Sequence, residues 1–382
     1  MTAADRLAVL AAGGTGGHMF PAEALAAELA ARGWRLALVT DARGKGFGDR
    51  LPEVAVHRIS AGGLAGRGLV ARARGALQLL GGYLQARRLL RRLQPAVVVG
   101  FGGYASVPTV MAAQRAGIRT VLHEQNAVLG RANRLLARGA ARIALSFDRV
   151  AGLPPDSRVE VTGNPVRPAI AAVAERPYPE QDGDLRLLVT GGSQGARVFG
   201  SVVPAAIAML DETLLARLRI AQQCRAEDFA AVKDAYDRLG LASELATFFN
   251  DMPERLAAAH LAITRAGAST VSELCAAGRP AILVPYPHAA DDHQTANARA
   301  IAAAGAAWMM PEPEFTPVAL AERLRRLLRS PDDLAAAAER ARQAARRDAA
   351  RRLADLVTEV AGRNGGRAGR AATDTLRREA AE

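Results

Sequence analysis

Along most of this 382-residue chain, short apolar runs alternate with longer stretches whose apolar positions recur at helical spacing. Runs that stay apolar without a polar face read as strands buried on both sides, the form strands take in parallel sheets. In the first half they fall at residues 7–11, 35–40, 54–59, 96–100, 120–123 and 142–146. In the second they fall at 185–189, 219–223, 245–248, 261–264 and 281–285. Helical stretches between them predict an α/β chain with parallel sheets. The densest Pro, Gly and acid punctuation, in "GLPPDSRVEVTGNPVRP" and "ERPYPEQDGDLR", divides the chain into two halves of similar pattern. Two Rossmann-like domains are therefore predicted, residues 1–163 and 164–355, the last helix being able to pack back on the first domain. The remainder, 356–382, reads as a disordered tail.

Each half opens with a glycine loop between strand and helix. The first is Gly13-Gly14-Thr15-Gly16-Gly17-His18, with Pro21 assigned to the first helical turn; the second is Gly191-Gly192-Ser193-Gln194-Gly195-Ala196, with a helix from about Arg197. Glycines let the backbone approach a phosphate, and the helix start supplies free N–H groups and a positive dipole end. Neither loop matches the dinucleotide fingerprint, and the lysine of a P-loop is absent.

Three further segments place polar residues just beyond predicted strands, the edge at which α/β folds bind ligands. "LHEQNAVLGRANR" carries His123, Glu124, Gln125 and Asn126, and "FGGYASVP" carries Gly103 and Tyr104. In "AGASTVSEL", Glu273 is open to two readings: with Thr270 it fits a helix capping box, or it offers a carboxylate to ribose hydroxyls. "PYPHAADDHQTANA" holds His288, Asp291, Asp292 and His293, whose spacing matches no strong zinc pattern, so hydroxyl recognition is favoured and no metal is expected.

Composition adds a surface. The net charge is +12, almost all of it arginine, since Lys45 and Lys233 are the only lysines. From Val54 to His123 there is no Asp or Glu but there are ten arginines. Such a field suits an anionic surface. Aromatic residues make up only 4% of the chain and do not interleave with these arginines, which argues against single-stranded nucleic acid. Apolar residues do interleave, as in a segment lying on a membrane. The candidates are Leu69, Val70, Leu77, Leu79, Leu80, Tyr83 and Leu84, with Arg72, Arg74, Arg87 and Arg88 at the lipid phosphates; the alternative is that many of these apolar residues pack on the protein's own sheet. The uncharged stretch 93–114 is broken by Gly100, Gly102, Gly103, Ser106 and Pro108 and is not a membrane span. Cys224 and Cys275 lie far apart and read as reduced thiols.

Taken in order, "GGTGGHMFPA", "FGGYASVP", "HEQNAVLGRANR", "GNPVR", "GGSQGA", "AGASTVSEL" and "DDHQTANA" resemble the MurG family of bacterial UDP-N-acetylglucosamine:lipid I N-acetylglucosaminyltransferases. The resemblance runs from about residue 6 to 355. It implies a B-type glycosyltransferase fold, two Rossmann-like domains facing a cleft. It also implies an inverting transfer of N-acetylglucosamine to the C4 hydroxyl of the N-acetylmuramyl group of lipid I, giving lipid II for peptidoglycan. No cofactor is implied. The implied partners are UDP-N-acetylglucosamine, lipid I and the anionic cytoplasmic face of the inner membrane, with no nucleic acid.

Motif by motif, the resemblance makes His18 and Glu124 the catalytic candidates, although a cap on the helix start remains the other reading of His18. Thr15, Gly16 and Gly17 would lie near the reacting diphosphates, with Gly103 and Tyr104 among the substrate contacts. Ser193 and Arg167 would meet the donor diphosphate, Glu273 the ribose, the Phe249 backbone the uracil, and Ala268, Ser269 and Thr270 the length of the nucleotide. Gln294, with Asn126 from the other domain, would hold the sugar, and His293 would be a further substrate contact. One departure is Gln222, where the family often has histidine. A related glycolipid transferase and a non-enzymatic nucleotide binder are the competing readings.

Overall fold

The computed structural model describes residues 6–13, 16–42, 54–61, 69–181, 183–192 and 195–362, with the side chains of 16 and 69–74 outside the description. The chain folds as two compact units: one of Met1–Gln125, Leu129–Pro165 and Asp348–Glu382, the other of Asn126–Val128 and Val166–Arg347. The expectations for Thr15, Ser193 and the tail beyond 362 fall outside the described residues, while residues 356–362, expected in the tail, are helical.

In the first unit the elements run β1 (Leu7–Ala11), α1 (Gly16–Ala31), β2 (Arg35–Thr40), β3 (Ala55–Arg58), α2 (Leu69–Leu93), β4 (Val97–Gly100), α3 (Ser106–Arg115), β5 (Thr120–Glu124), α4 (Arg131–Leu136), β6 (Arg142–Leu145) and β7 (Val159–Val161). The seven strands form one sheet in the order β3-β2-β1-β4-β5-β6-β7, every pair parallel. Every residue of β1 is buried, and alternate residues serve opposite faces: Ala8 and Leu10 in one core, Leu7, Val9 and Ala11 in another. A strand covered by helices on both faces needs this unbroken apolar run.

The second unit contains α5 (Pro168–Ala171), β8 (Leu185–Thr190), α6 (Arg197–Ile207), α7 (Glu212–Arg217), β9 (Leu218–Gln223), α8 (Phe229–Arg238), β10 (Ala242–Ala246), α9 (Met252–Ala258), β11 (Leu261–Thr264), α10 (Ala268–Ala277), β12 (Ala281–Leu283), α11 (His293–Ala303), β13 (Ala307–Met309), α12 (Pro317–Leu328) and α13 (Pro331–Ala344). Its six parallel strands take the order β10-β9-β8-β11-β12-β13. Leu185, Leu187 and Val189 of β8 pack with Phe199, Val203 and Ile207 of α6 and Tyr236 of α8. The chain then returns to the first unit as α14 (Ala349–Gly362), which buries Leu353, Leu356, Val357 and Val360 at helical spacing. Asp355 of α14 accepts from Arg32 (2.7 Å), and Glu359 pairs with Arg142 (3.2 Å).

Four expectations are corrected. Helix α1 starts at Gly16, so Pro21 stands inside it rather than in its first turn. The proline lacks only one N–H, which costs least near a helix start. The strand expected at 245–248 is β10, several residues earlier, because Phe248 is exposed and the apolar run there is a loop. β7 and β13 were not expected; both are three-residue strands at sheet edges. The capping-box reading of Glu273 also fails, since the N-cap of α10 is Gly267, not Thr270.

Candidate active site

Both sheets reverse direction of winding between two neighbouring strands, β1 and β4 in one, β8 and β11 in the other. At such a switch point the loops leaving the two strands diverge and open a crevice at their carboxyl ends. Most of the sequence-predicted site residues stand on loops or helix starts of this kind.

In the first unit, His18 lies in the first turn of α1, at the end of the loop leaving β1. Its ring packs along the loop leaving β4. A Cβ on Gly102 would stand 3.3 Å from His18 Cε1, and one on Gly103 would stand 3.2 Å from Cδ2, with both glycines at positive φ (83° and 72°). A side chain at either position would crowd the imidazole and strain the backbone. Tyr104 follows, half-buried, and Ser106 closes the turn by donating its hydroxyl to Gly103 O (2.9 Å). Gly17 is exposed beside His18, and Gly16 opens the helix.

The end of β5 supplies the polar run His123-Glu124-Gln125. His123 is fully buried, its Nε2 3.1 Å from Gly163 O, and burial pulls its pKa down to about 4. Gln125 lies 2.9 Å from His123 Nδ1 through Nε2 and 3.1 Å from His18 Nδ1 through Oε1. Glu124 is buried, and its Oε2 accepts from Gly130 N (2.9 Å) and Asn133 Nδ2 (2.8 Å). That carboxylate thereby ties the start of α4 to the end of β5. Sequence reasoning singled out the run as polar but gave His123, Gln125 and Asn133 no roles; the signal was four hydrogen-bonding side chains in succession after a buried strand.

In the second unit the loop leaving β8 is tight. A Cβ on Gly191 would come within 2.3 Å of Ala196 N, and Gly192 and Gly195 have positive φ. The loop is closed by Gly195 N donating to Gly192 O (3.0 Å). Across the switch point, α10 begins with Ala268, Ser269 and Thr270, and one turn later Glu273 meets Arg167 in a two-pronged ion pair (Nε–Oε1 2.8 Å, Nη2–Oε2 3.1 Å). Burial raises the Glu273 pKa, and the arginine opposes that rise. Two expected binding residues, one for diphosphate and one for ribose, are thus brought together.

Gln294, in the first turn of α11, accepts through Oε1 from Ala266 N (3.1 Å) and Tyr286 N (3.0 Å). Both partners are N–H donors, so this end must be the oxygen and the opposite end presents N–H₂. His293 beside it donates Nδ1–H to Ala290 O (2.7 Å). Asn297, fully buried, was missed: it accepts from Ala127 N (2.8 Å) and donates to Ala266 O (3.0 Å) and Asn126 Oδ1 (3.1 Å). Asn126–Val128 group with the second unit, which corrects the expectation that Asn126 comes from the other domain. Phe249 is buried beneath the Arg255 guanidinium, 3.9 Å from its ring centroid. Gln222 has core duties, accepting from Tyr236 OH (2.6 Å) and donating to Phe199 O (3.3 Å). Among the described residues, no three His, Cys, Asp or Glu side chains gather in a metal-binding group.

Residues 8–145 match the glycosyltransferase family 28 N-terminal domain, and residues 186–353 match its C-terminal domain. The chain is 61% identical to the UDP-N-acetylglucosamine--N-acetylmuramyl-(pentapeptide) pyrophosphoryl-undecaprenol N-acetylglucosamine transferase of Rhodospirillum centenum, across 94% of this chain and 96% of that one. It is 58% identical to the protein of the same description from Rhodospirillum rubrum, across 92% and 91%. The crystal structure of Acinetobacter baumannii MurG superposes with a TM-score of 0.76 at 31% identity, covering 93% of this chain and 99% of that one.

Proposed function

The chain belongs to glycosyltransferase family 28, and from that membership we propose that it moves N-acetylglucosamine from UDP-N-acetylglucosamine to lipid I, the undecaprenyl-pyrophosphoryl N-acetylmuramyl-pentapeptide, giving lipid II. One observation carries this reading: the match to the named transferases is continuous through both units, so the elements for two substrates are present together. The test is UDP release by the purified protein. Release should require both UDP-N-acetylglucosamine and a lipid I analogue; release with a different sugar nucleotide, or none with this pair, would overturn the assignment.

The second unit takes the donor. The glycine loop after β8 and the start of α6 offer backbone N–H groups to the diphosphate, and Arg167 adds a cation. Glu273 accepts from the ribose hydroxyls, Phe249 offers its backbone to the uracil, and Ala268 to Thr270 line the nucleotide. Support for Gln294 as a sugar ligand is the fixed direction of its amide, whose N–H₂ end suits hydroxyl or acetyl oxygens. Asn126 and His293 complete the sugar contacts.

The first unit takes the acceptor, with His18 as general base. The C4 hydroxyl oxygen attacks the anomeric carbon, and its proton passes to the imidazole. The bond from that carbon to the UDP oxygen breaks, its electron pair leaving with UDP, and attack from the opposite face inverts the configuration. Glu124 acts as a positioning group for the β5–α4 turn, a role supported by its two buried hydrogen bonds.

The acceptor is membrane-anchored, and no helix among the described residues is long and apolar enough to cross a membrane. Peripheral attachment to the anionic cytoplasmic surface is supported by one face of α2. Leu77, Leu80 and Leu84 are 69%, 56% and 43% exposed, and Arg87 and Arg91 continue the same stripe at spacings of three and four. Leu79 and Tyr83 are half-buried, and Arg115 stacks over Tyr83 (5.5 Å) beside Arg87 and Arg91. Leucines entering the interface with arginines at phosphate level is the arrangement such a surface selects.

A further inference from the structure

The hydrogen bonds around His18 form a chain whose directions can be settled from one end. Gly163 O can only accept, so His123 Nε2, 3.1 Å away, carries the proton. The ring is fully buried and neutral, so Nδ1 holds its lone pair. Gln125 Nε2 lies 2.9 Å from that lone pair and 3.0 Å from His123 O, two acceptors, which fixes it as the amide N–H₂. Its oxygen is therefore the atom 3.1 Å from His18 Nδ1, and a carbonyl oxygen there requires Nδ1–H. By this count Nε2 of His18 bears the lone pair. An imidazole side chain in water favours the opposite tautomer, Nε2–H, so the chain of bonds works against the ring's own preference.

We propose that Gln125 and His123 are positioning residues that hold His18 as its Nδ1–H tautomer, so that Nε2 is the atom that accepts the proton of the attacking hydroxyl. The proposal rests on the reading of His18 as general base. When Nε2 takes the proton, the imidazolium keeps Nδ1–H on the Gln125 oxygen, which accepts from the cation more strongly than from the neutral ring. Gln125 moves no proton itself. Its oxygen disfavours the tautomer in which Nδ1 would carry a lone pair facing it. The neighbouring Gly102 and Gly103, lacking side chains, leave the ring the space to lie there.

The test is ¹⁵N spectroscopy of histidine-labelled protein near neutral pH, where six histidines contribute and His18→Ala and His123→Leu supply the assignments. His18 should show a protonated Nδ1 and a pyridine-type Nε2, and His123 the reverse. A His18 ring protonated on Nε2 overturns the proposal, whatever the variants do. In Gln125→Met, close in volume and lacking both polar ends, His18 should lose its fixed tautomer. There kcat should fall at least about tenfold, while the KM for the sugar nucleotide stays unchanged; a wrong tautomer in a serine protease triad costs far more. An unchanged tautomer or unchanged kcat in that variant would overturn the proposal. The base reading fails separately: near-normal turnover of His18→Ala would remove it while leaving the tautomer measurement intact.

Discussion

Glu273 and Arg167 occupy each other in this structure, and their pairing sets what a substitution at either does. Glu273→Gln keeps the shape but removes the charged acceptor, so donor affinity should fall by about 1.5–3 kcal/mol, read by calorimetry with UDP-N-acetylglucosamine. Donor affinity unchanged in a stable Glu273→Gln protein would remove the ribose role. A second residue-scale outcome concerns pH. Unfolded, His123 titrates near its ordinary 6.5; folded, burial pulls it to about 4. Between those values the unfolded chain binds a proton that the folded chain does not. Stability therefore falls as pH drops through that window and is full above it, with a loss from His123 of about 3 kcal/mol. Burial shifts His260 downward too, and it adds with the same sign. Urea midpoints measured near pH 7 and near pH 4.5 should show the loss, and His123→Leu should make it smaller. A midpoint independent of pH would contradict the buried, neutral state of this ring. The direction of each bond from His18 to His123 was not legible in sequence, because it is set by Gly163 O, forty residues further on.

At the scale of elements, central strands were legible, and of the edge strands only β3 lies where it was expected. β1, β4 and β11 are buried at every residue, and β8 at every residue but Arg186, because both of their faces are covered. β7 reads VEV, with Val159 44% exposed, and β10 reads ASELA, so neither carries the buried signature. The glycine loops were legible as loops, but the start of α10 was not, since its N-cap is a glycine without a side-chain bond. Helix α2 supplies the prediction at this scale. Its exposed stripe should bind anionic vesicles in a salt-sensitive way, each arginine adding ~1 kcal/mol near the surface. Arg87→Glu with Arg91→Glu should weaken vesicle binding and spare donor affinity. Leu77→Ser with Leu80→Ser should weaken it even at low salt. Binding that is equal on neutral and anionic vesicles, and indifferent to all four changes, would leave the stripe without this function.

For the molecule as a whole, the charge of the departing diphosphate has to be met. In the proposed reading, Arg167, the glycine-loop amides and the start of α6 meet it, and the sugar transfer should therefore proceed in the presence of a chelator. Activity abolished by chelation and restored by one divalent ion would replace this account with a metal-assisted one. The most direct measurement follows labelled N-acetylglucosamine from its UDP donor in a reaction containing the purified protein, lipid I and a chelator. One labelled sugar should be joined per UDP released, in the β configuration to the C4 oxygen of the acceptor's muramyl group, and His18→Ala should reduce transfer ~10²–10⁴-fold. Label released as free sugar, joined elsewhere on the acceptor, or transferred with retained configuration would contradict the proposed reaction.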